Sequence, residues 1–339
     1  MKNNLCSLLL VILLQLVHQP LLAQEKAGPL AGKVICLDAG HGGTAETDSY
    51  RAGPAGEREE WINLRVALLL QKMLEEKGAK VLMTRTADDN VPLADRAQLA
   101  LQNEADVFLS VHHNATADPE VNFPIIYFHG NASENKASVA LGKKIAQALA
   151  ASLYKGSTPV SLASDHTIFA GAGTKVLRDT YGIPGAIAEA SFFTNAAEER
   201  RLKKRKYNRR EAQAYVAALE AFFSESVPAV LPKNSLVNLP PFRAFQEAER
   251  MSETARLWRQ DYVKGLALLE RNDTASWQQA YELFTRSARS FPDSYVVAEC
   301  HKNRALLLKK FGRKEEAEQE ARRAKEHYVE VSDYRLEPK

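Results

Sequence analysis

The alternation of apolar and polar positions divides the chain into three stretches. Between about residues 30 and 224, short apolar runs of strand length alternate with longer stretches whose apolar residues recur at helical spacing. Strands are predicted over 33–38 (KVICLD), 80–84 (KVLMT), 106–112 (DVFLSVH), 123–128 (FPIIYF) and 185–189 (GAIAE). Helices are predicted over 61–74, 93–101, 137–153 and 210–223; in the first, Ile62, Val66, Leu69 and Met73 mark the apolar face. Strands alternating with helices predict an α/β fold, a mostly parallel sheet flanked by helices. In such sheets ligands gather beyond the carboxyl ends of the strands.

The second stretch, 225–241, carries Pro228, Pro232, Pro240 and Pro241 among small residues. Helix does not run through prolines so spaced, which predicts a linker between domains that fold separately. The third, 242–331, is charged and helical with no strand signal, a small all-α helical-repeat domain. Ala280, Phe284, Ser287 and Pro292 follow the spacing of a tetratricopeptide helix pair, and Gly312, Ala317, Ala321 and Ala324 repeat it. A generic helical hairpin whose small residues allow close packing is the plainer reading of the same spacing. Repeat surfaces of this kind hold peptides, so a protein partner is expected there.

Composition adds exclusions. With 45 Lys+Arg against 42 Asp+Glu, the chain lacks the concentrated basic balance of a nucleic-acid partner. Residues 1–23 read as a secretory signal: Lys2, an apolar run over 5–17, Pro20 and the small Ala23. That run is too short to span a bilayer comfortably, which takes about 20 apolar residues; an uncleaved amphipathic or membrane anchor is the other reading of the same segment. The mature chain is expected to be exported, to the periplasm or cell envelope, with no stable membrane span. Beyond the signal only Cys36 and Cys300 remain; two buried thiols without a bridge are expected.

The chemistry sits where strands stop. The first strand ends in DAGHGG with Asp38 and His41, the third in SVHHNA with His112, His113 and Asn114, and the last in EASFFTN with Glu189. GEREEWINL, with Glu57, Glu59 and Glu60, opens the first helix. Each motif alone has a bland account: a surface histidine, a buried structural carboxylate, acidic residues favoured by the helix dipole. The glycine-rich turn has no phosphate-loop lysine and no GxGxxG spacing.

Together, DAGHGG, GEREEWINL, SVHHNA and IPGAIAEASFFTN resemble the zinc-dependent N-acetylmuramoyl-L-alanine amidases of the amidase-3 family. The segment 80–85 (KVLMTR), with Asp88 and Arg96, fits as well, so the resemblance covers about 32–224 and implies a catalytic domain over 30–224. It implies zinc ligands at His41, Glu59 and His112, and the catalytic carboxylate at Glu189. Glu59 is singled out by register, since Gly56, Asn63 and Leu64 fit the family pattern around it. His113 stands where the family often has alanine, and in an extended strand it points to the other side. Asp38 and Asn114 are candidates for orienting the ligands or for structural turns.

Two imidazoles and a carboxylate leave a position open for water, as in catalytic zinc sites. Glu189, outside that shell, is then the general base toward water and acid toward the leaving amine. The implied substrate is bacterial peptidoglycan, cut between N-acetylmuramic acid and L-alanine of the stem peptide. Two other readings share these residues: a zinc peptidase or deacylase on the same scaffold, and a non-catalytic module that binds peptidoglycan or recruits partners.

Overall fold

The computed structural model describes residues 28–44, 51–250, 252–271 and 273–331; the predicted secretory signal lies outside them. Six strands form one sheet: β1 (Val34–Ala39), β2 (Lys80–Met83), β3 (Val107–Asn114), β4 (Ile125–Phe128), β5 (Ser161–Ser164) and β6 (Gly185–Phe192). Their order is β2-β1-β3-β6-β4-β5. Helices α1 (Glu59–Glu75), α2 (Leu93–Gln102), α3 (Lys136–Tyr154), α4 (Lys175–Asp179), α5 (Ala196–Leu202) and α6 (Arg205–Phe223) accompany it. In α1, Ile62, Val66, Leu70 and Leu74 are buried at the spacing of one helical face. They join the β-strand residues Ile35, Leu37, Leu109 and Val111 in the main core.

All neighbouring strands are parallel except β4 and β6, which run antiparallel. The connection 115–124 between β3 and β4 holds no helix, whereas a parallel return needs a longer crossover. Strand β4 therefore starts at the end of the sheet where β3 stops and runs back. The crossover through α3 then makes β5 parallel to β4. Gly142 lets α3 lie close on the sheet, because a Cβ there would stand 2.6 Å from Leu162 Cδ1. As a result the carboxyl ends of β4 and β5 lie at the opposite end from those of β1, β3 and β6. Strand β5, a mere SLAS, carries too little apolar pattern to be predicted from the sequence.

Beyond residue 246 the described residues form six helices: α7 (Glu247–Arg250), α8 (Glu253–Arg256), α9 (Trp258–Leu269), α10 (Thr274–Ser290), α11 (Val297–Lys310) and α12 (Lys314–Glu326). Gly265 of α9 meets Phe284 of α10 so closely that a Cβ would lie 2.8 Å from its ring. Ala280, Phe284, Ser287, Ala317 and Ala324 are buried, while Ala321 is exposed.

These helices share a core with the sheet. Phe123, Ile125, Ala163 and Phe192 cluster with Trp258, Phe291, Val296 and Tyr328. Phe123 packs on Phe291 at 5.9 Å and edge-on against Tyr295 at 5.0 Å between ring centroids. Tyr127 donates a short hydrogen bond to Asp293. After α12 the chain pairs with the outer edge of β5: Ser164 N donates to His327 O at 2.8 Å and Val329 N to Leu162 O at 2.9 Å. An open edge is thereby covered. Residues 231–237 are also held down, since Glu134 accepts from Asn234 N, Leu236 N and Val237 N at 3.1, 2.7 and 3.1 Å. Cys36 and Cys300 are buried and free. Among the described residues, no helix is long and apolar enough to cross a membrane.

Candidate active site and metal centre

His41, Glu59 and His112 come from three elements and converge at the carboxyl ends of β1 and β3. His41 Nε2 lies 3.1 Å from Glu59 Oε2, and His112 Nδ1 lies 2.9 Å from Glu59 Oε1. The two imidazoles meet edge-on, 4.6 Å between ring centroids. One ligand atom from each residue falls within 4.8 Å of the others.

Local backbone explains the convergence. Just past β1, His41 adopts a left-handed conformation, φ 59°. Gly40 has no tolerated substitute, because a Cβ there would sit 2.2 Å from the His112 ring. Two buried arginines hold the carbonyls of this turn. Arg85 donates to Ala39 O and Gly40 O at 2.7 and 2.9 Å. Arg96 donates to His41 O at 2.6 Å and to Asp38 Oδ1 at 2.8 Å. Asp38 also accepts from Thr84 and Ser110. Burial works to raise its carboxyl, but the Arg96 charge and these hydroxyls hold it below the ordinary value. Asp38 thus acts on the His41 turn through Arg96. Asn114 caps its own turn instead, Oδ1 accepting from Ala115 N at 2.8 Å.

Glu59 is the first residue of α1, at the positive end of the helix dipole. Asn63, one turn later, donates to Glu59 Oε1 and to Gly40 O, both at 3.2 Å. His113 points away from His41: its ring contacts Asn63 Oδ1 at 2.9 Å and Glu211 Oε2 at 3.1 Å. A buried relay Glu211–His113–Asn63–Glu59 results. Glu60 is turned aside and pairs with Arg58, and Glu57 pairs with Arg65. A contribution that sequence reasoning missed is Glu199. Its carboxylate accepts from Ala55 N and Glu57 N, at 2.8 and 2.9 Å, fixing the loop that delivers Glu59. The acidic run around Glu199 carried no signal for this role.

Glu189 lies on β6 directly across from His112 on β3. Its Oε2 is buried without a hydrogen-bond partner. Burial pushes its carboxyl up to about 7, against the His112 charge. Burial also works to raise Glu59, yet the His41 charge and the hydrogen bonds to both imidazoles hold it well below the usual carboxylate range. Burial pulls His41 down. In His112 burial acts the same way but is outweighed by the Glu59 hydrogen bond and the Glu189 charge, which raise it. Two neighbouring carboxylates are thus pushed apart, one ionised and one near neutrality, as acid–base sites require.

Residues 35–221, more than half of the chain, match the family described as N-acetylmuramoyl-L-alanine amidase. The chain belongs to that family. Among curated relatives of this chain is "Probable cell wall amidase LytH" of Staphylococcus saprophyticus. It is 30% identical over 199 residues, which cover 59% of this chain and 61% of that protein. The germination-specific N-acetylmuramoyl-L-alanine amidase of Bacillus subtilis is 28% identical over 213 residues, covering 58% of this chain and 82% of its own. The amidase AmiC2 of Nostoc punctiforme shares the fold, with a TM-score of 0.50 at 23% identity over 57% of this chain and 99% of its own. The match to the family ends at 221, before the helices that complete this chain's second core.

Proposed function

We propose that the protein is an exported zinc amidase that hydrolyses the bond between N-acetylmuramic acid and L-alanine in peptidoglycan, with His41, Glu59 and His112 as metal ligands. The observation that carries this reading is the orphaned Oε2 of Glu189, buried and opposite His112. A carboxyl so placed needs a partner that the protein does not supply. The donor set fits zinc. Two imidazoles and a carboxylate, with one ligand atom from each within 4.8 Å of the others, are the donor types that would hold a zinc ion.

Zinc held there would polarise the scissile carbonyl and acidify a water at its open position. Glu189, with its carboxyl raised to about 7, accepts the proton of the attacking water and returns it to the leaving amine of L-alanine. The metal charge opposes burial and favours the carboxylate form that accepts. The relay through Asn63 and His113 keeps Glu59 oriented, and the Arg85 and Arg96 bonds keep His41 in place. Export through the leader at 1–23 would put the enzyme where peptidoglycan lies. The helices over 242–331 would form a tetratricopeptide-like layer offering a face to a protein partner.

Incubating the zinc-loaded chain with purified sacculi and analysing the soluble products by mass spectrometry tests the reading. Intact stem peptides with a free L-alanine amino terminus are expected. Release of internally cut peptides, or of no peptide, would overturn it.

A further inference from the structure

A second cluster of ligand-type side chains lies at the other end of the sheet. His129 follows β4, and Asp165 and His166 follow β5; one ligand atom from each falls within 4.8 Å of the others. His129 Nδ1 stands 3.1 and 2.9 Å from the two oxygens of Asp165. The His129 and His166 rings meet edge-on, 5.2 Å between centroids. Asp165 is fully buried and His129 nearly so, while His166 is partly exposed.

The surroundings orient these groups as a metal shell is oriented. Thr174 donates both its N–H and its hydroxyl to Asp165 Oδ2, each at 2.8 Å. Of these contacts, Oδ1 receives that of His129 alone. Such outer hydrogen bonds fix a ligating carboxylate. Gly173 runs so close that a Cβ would stand 2.6 Å from both His129 Nδ1 and Asp165 Oδ1. The nearby Lys233 is engaged elsewhere, its ammonium donating to Arg178 O at 3.1 Å and lying over the Tyr181 ring.

A second observation points to a missing ligand. His327 comes from the segment that pairs with β5, and its ring meets His166 at 5.8 Å between centroids. It is buried, and its Nε2 has no hydrogen-bond partner. An unpaired imidazole nitrogen in the interior is costly, and a cation among these rings would give it a use.

We propose a second zinc site, held by His129, Asp165 and His166 with His327 as the candidate to close the shell, which ties the end of the helical region to the edge of the sheet. With His327 as the fourth donor no position would stay open, the mark of a structural rather than a catalytic zinc site. Because His327 belongs to the strap along β5, the ion would join parts of the chain far apart in sequence, and its binding energy would add to folding.

The test uses the full chain carrying His41→Ala and His112→Ala, so that the first site cannot bind. After chelation and dialysis, zinc alone is titrated against a competing chromophoric chelator, and the melting temperature is followed with and without zinc. One equivalent of zinc and a zinc-dependent rise in melting temperature are expected. Adding His166→Ala should weaken binding at least tenfold and remove that rise; if it does not fold, His166→Gln serves in its place. Absence of zinc binding in the His41→Ala/His112→Ala chain, or binding indifferent to His166, would overturn the proposal and leave a hydrogen-bonded His129–Asp165 pair. Failure of the first site shows separately, as a His166→Ala chain with His41 and His112 intact that binds no zinc.

Discussion

The two ends of the sheet carry similar side chains arranged to different ends. At one, His41, Glu59 and His112 surround a half-exposed site faced by Glu189, whose buried Oε2 has no partner. At the other, Asp165 of the His129–Asp165–His166 cluster is braced by Thr174, and His166 meets His327 of the strap. On the readings proposed above, open coordination beside an acid–base carboxylate would suit catalysis and closed coordination beside a chain crossing would suit structure. The same residue types would then acquire different chemistry from solvent access and neighbours. The reversal of β4 against β6 is what separates them, by turning the ends of β4 and β5 away from the active site.

The largest effect is expected at the open end. His112→Ala should remove the catalytic zinc and take release of stem peptide below detection, measured with metal content on the same sample. Zinc retained in full by that variant would exclude His112 from the shell. Glu189→Gln should keep zinc and fold while lowering turnover about 10²–10⁴-fold, the usual contribution of a general acid–base group. Near-normal hydrolysis by that variant would remove Glu189 from the mechanism.

The seam between the ends should respond in stability. A chain ending at Ser224 would uncover Phe123, Ile125, Ala163 and Phe192, which now pack with Trp258, Phe291 and Tyr328. Each large apolar side chain exposed costs about 1.5–3 kcal/mol, and 1 kcal/mol shifts the melting temperature by about 2–4 °C at this size. A fall of roughly 10 °C or more, or aggregation, is expected in thermal melts. Melting within a few degrees of the full chain would show that the sheet and the helices are independent.

Smaller changes sharpen the first site. His113→Ala cuts the relay from Glu211 to Asn63 and should weaken zinc affinity by about tenfold, with zinc still bound at saturation. Loss of zinc at saturation would instead make His113 a ligand. The mildest effect concerns pH in the metal-free protein. Glu189 has its carboxyl raised from 4.5 to about 7, so the folded state binds this proton more tightly than the unfolded one. The corresponding stability is full below about pH 4.5 and is lost as pH rises through about 7. Metal-free Glu189→Gln should therefore lose about 2 kcal/mol less than the parent chain between pH 5 and 8, read by denaturant melts. Parallel curves for the two would show that Glu189 is not raised.

Local pattern was enough to lay out most of the α/β layer. Apolar periodicity located five of the six strands and the main helices. DAGHGG, GEREEWINL, SVHHNA and EASFFTN were legible only as a set, through the family resemblance that their order and spacing carry, since each alone has an ordinary structural account. Gly40 has its reason in the structure, as the space that the His112 ring needs. Tertiary structure alone decided the rest. SLAS becomes an edge strand through pairing with β4 and the strap after α12, and its short, polar sequence holds no such instruction. The prolines of 225–241 announce a break in helix but say nothing of the hydrogen bonds that Glu134 offers from a distant turn. His129, Asp165, His166 and His327 fall in no common motif, since their spacing along the chain is set by the elements between them. Only the order of the strands and the return of the last segment bring them to one place, because contacts between distant residues follow topology rather than local pattern.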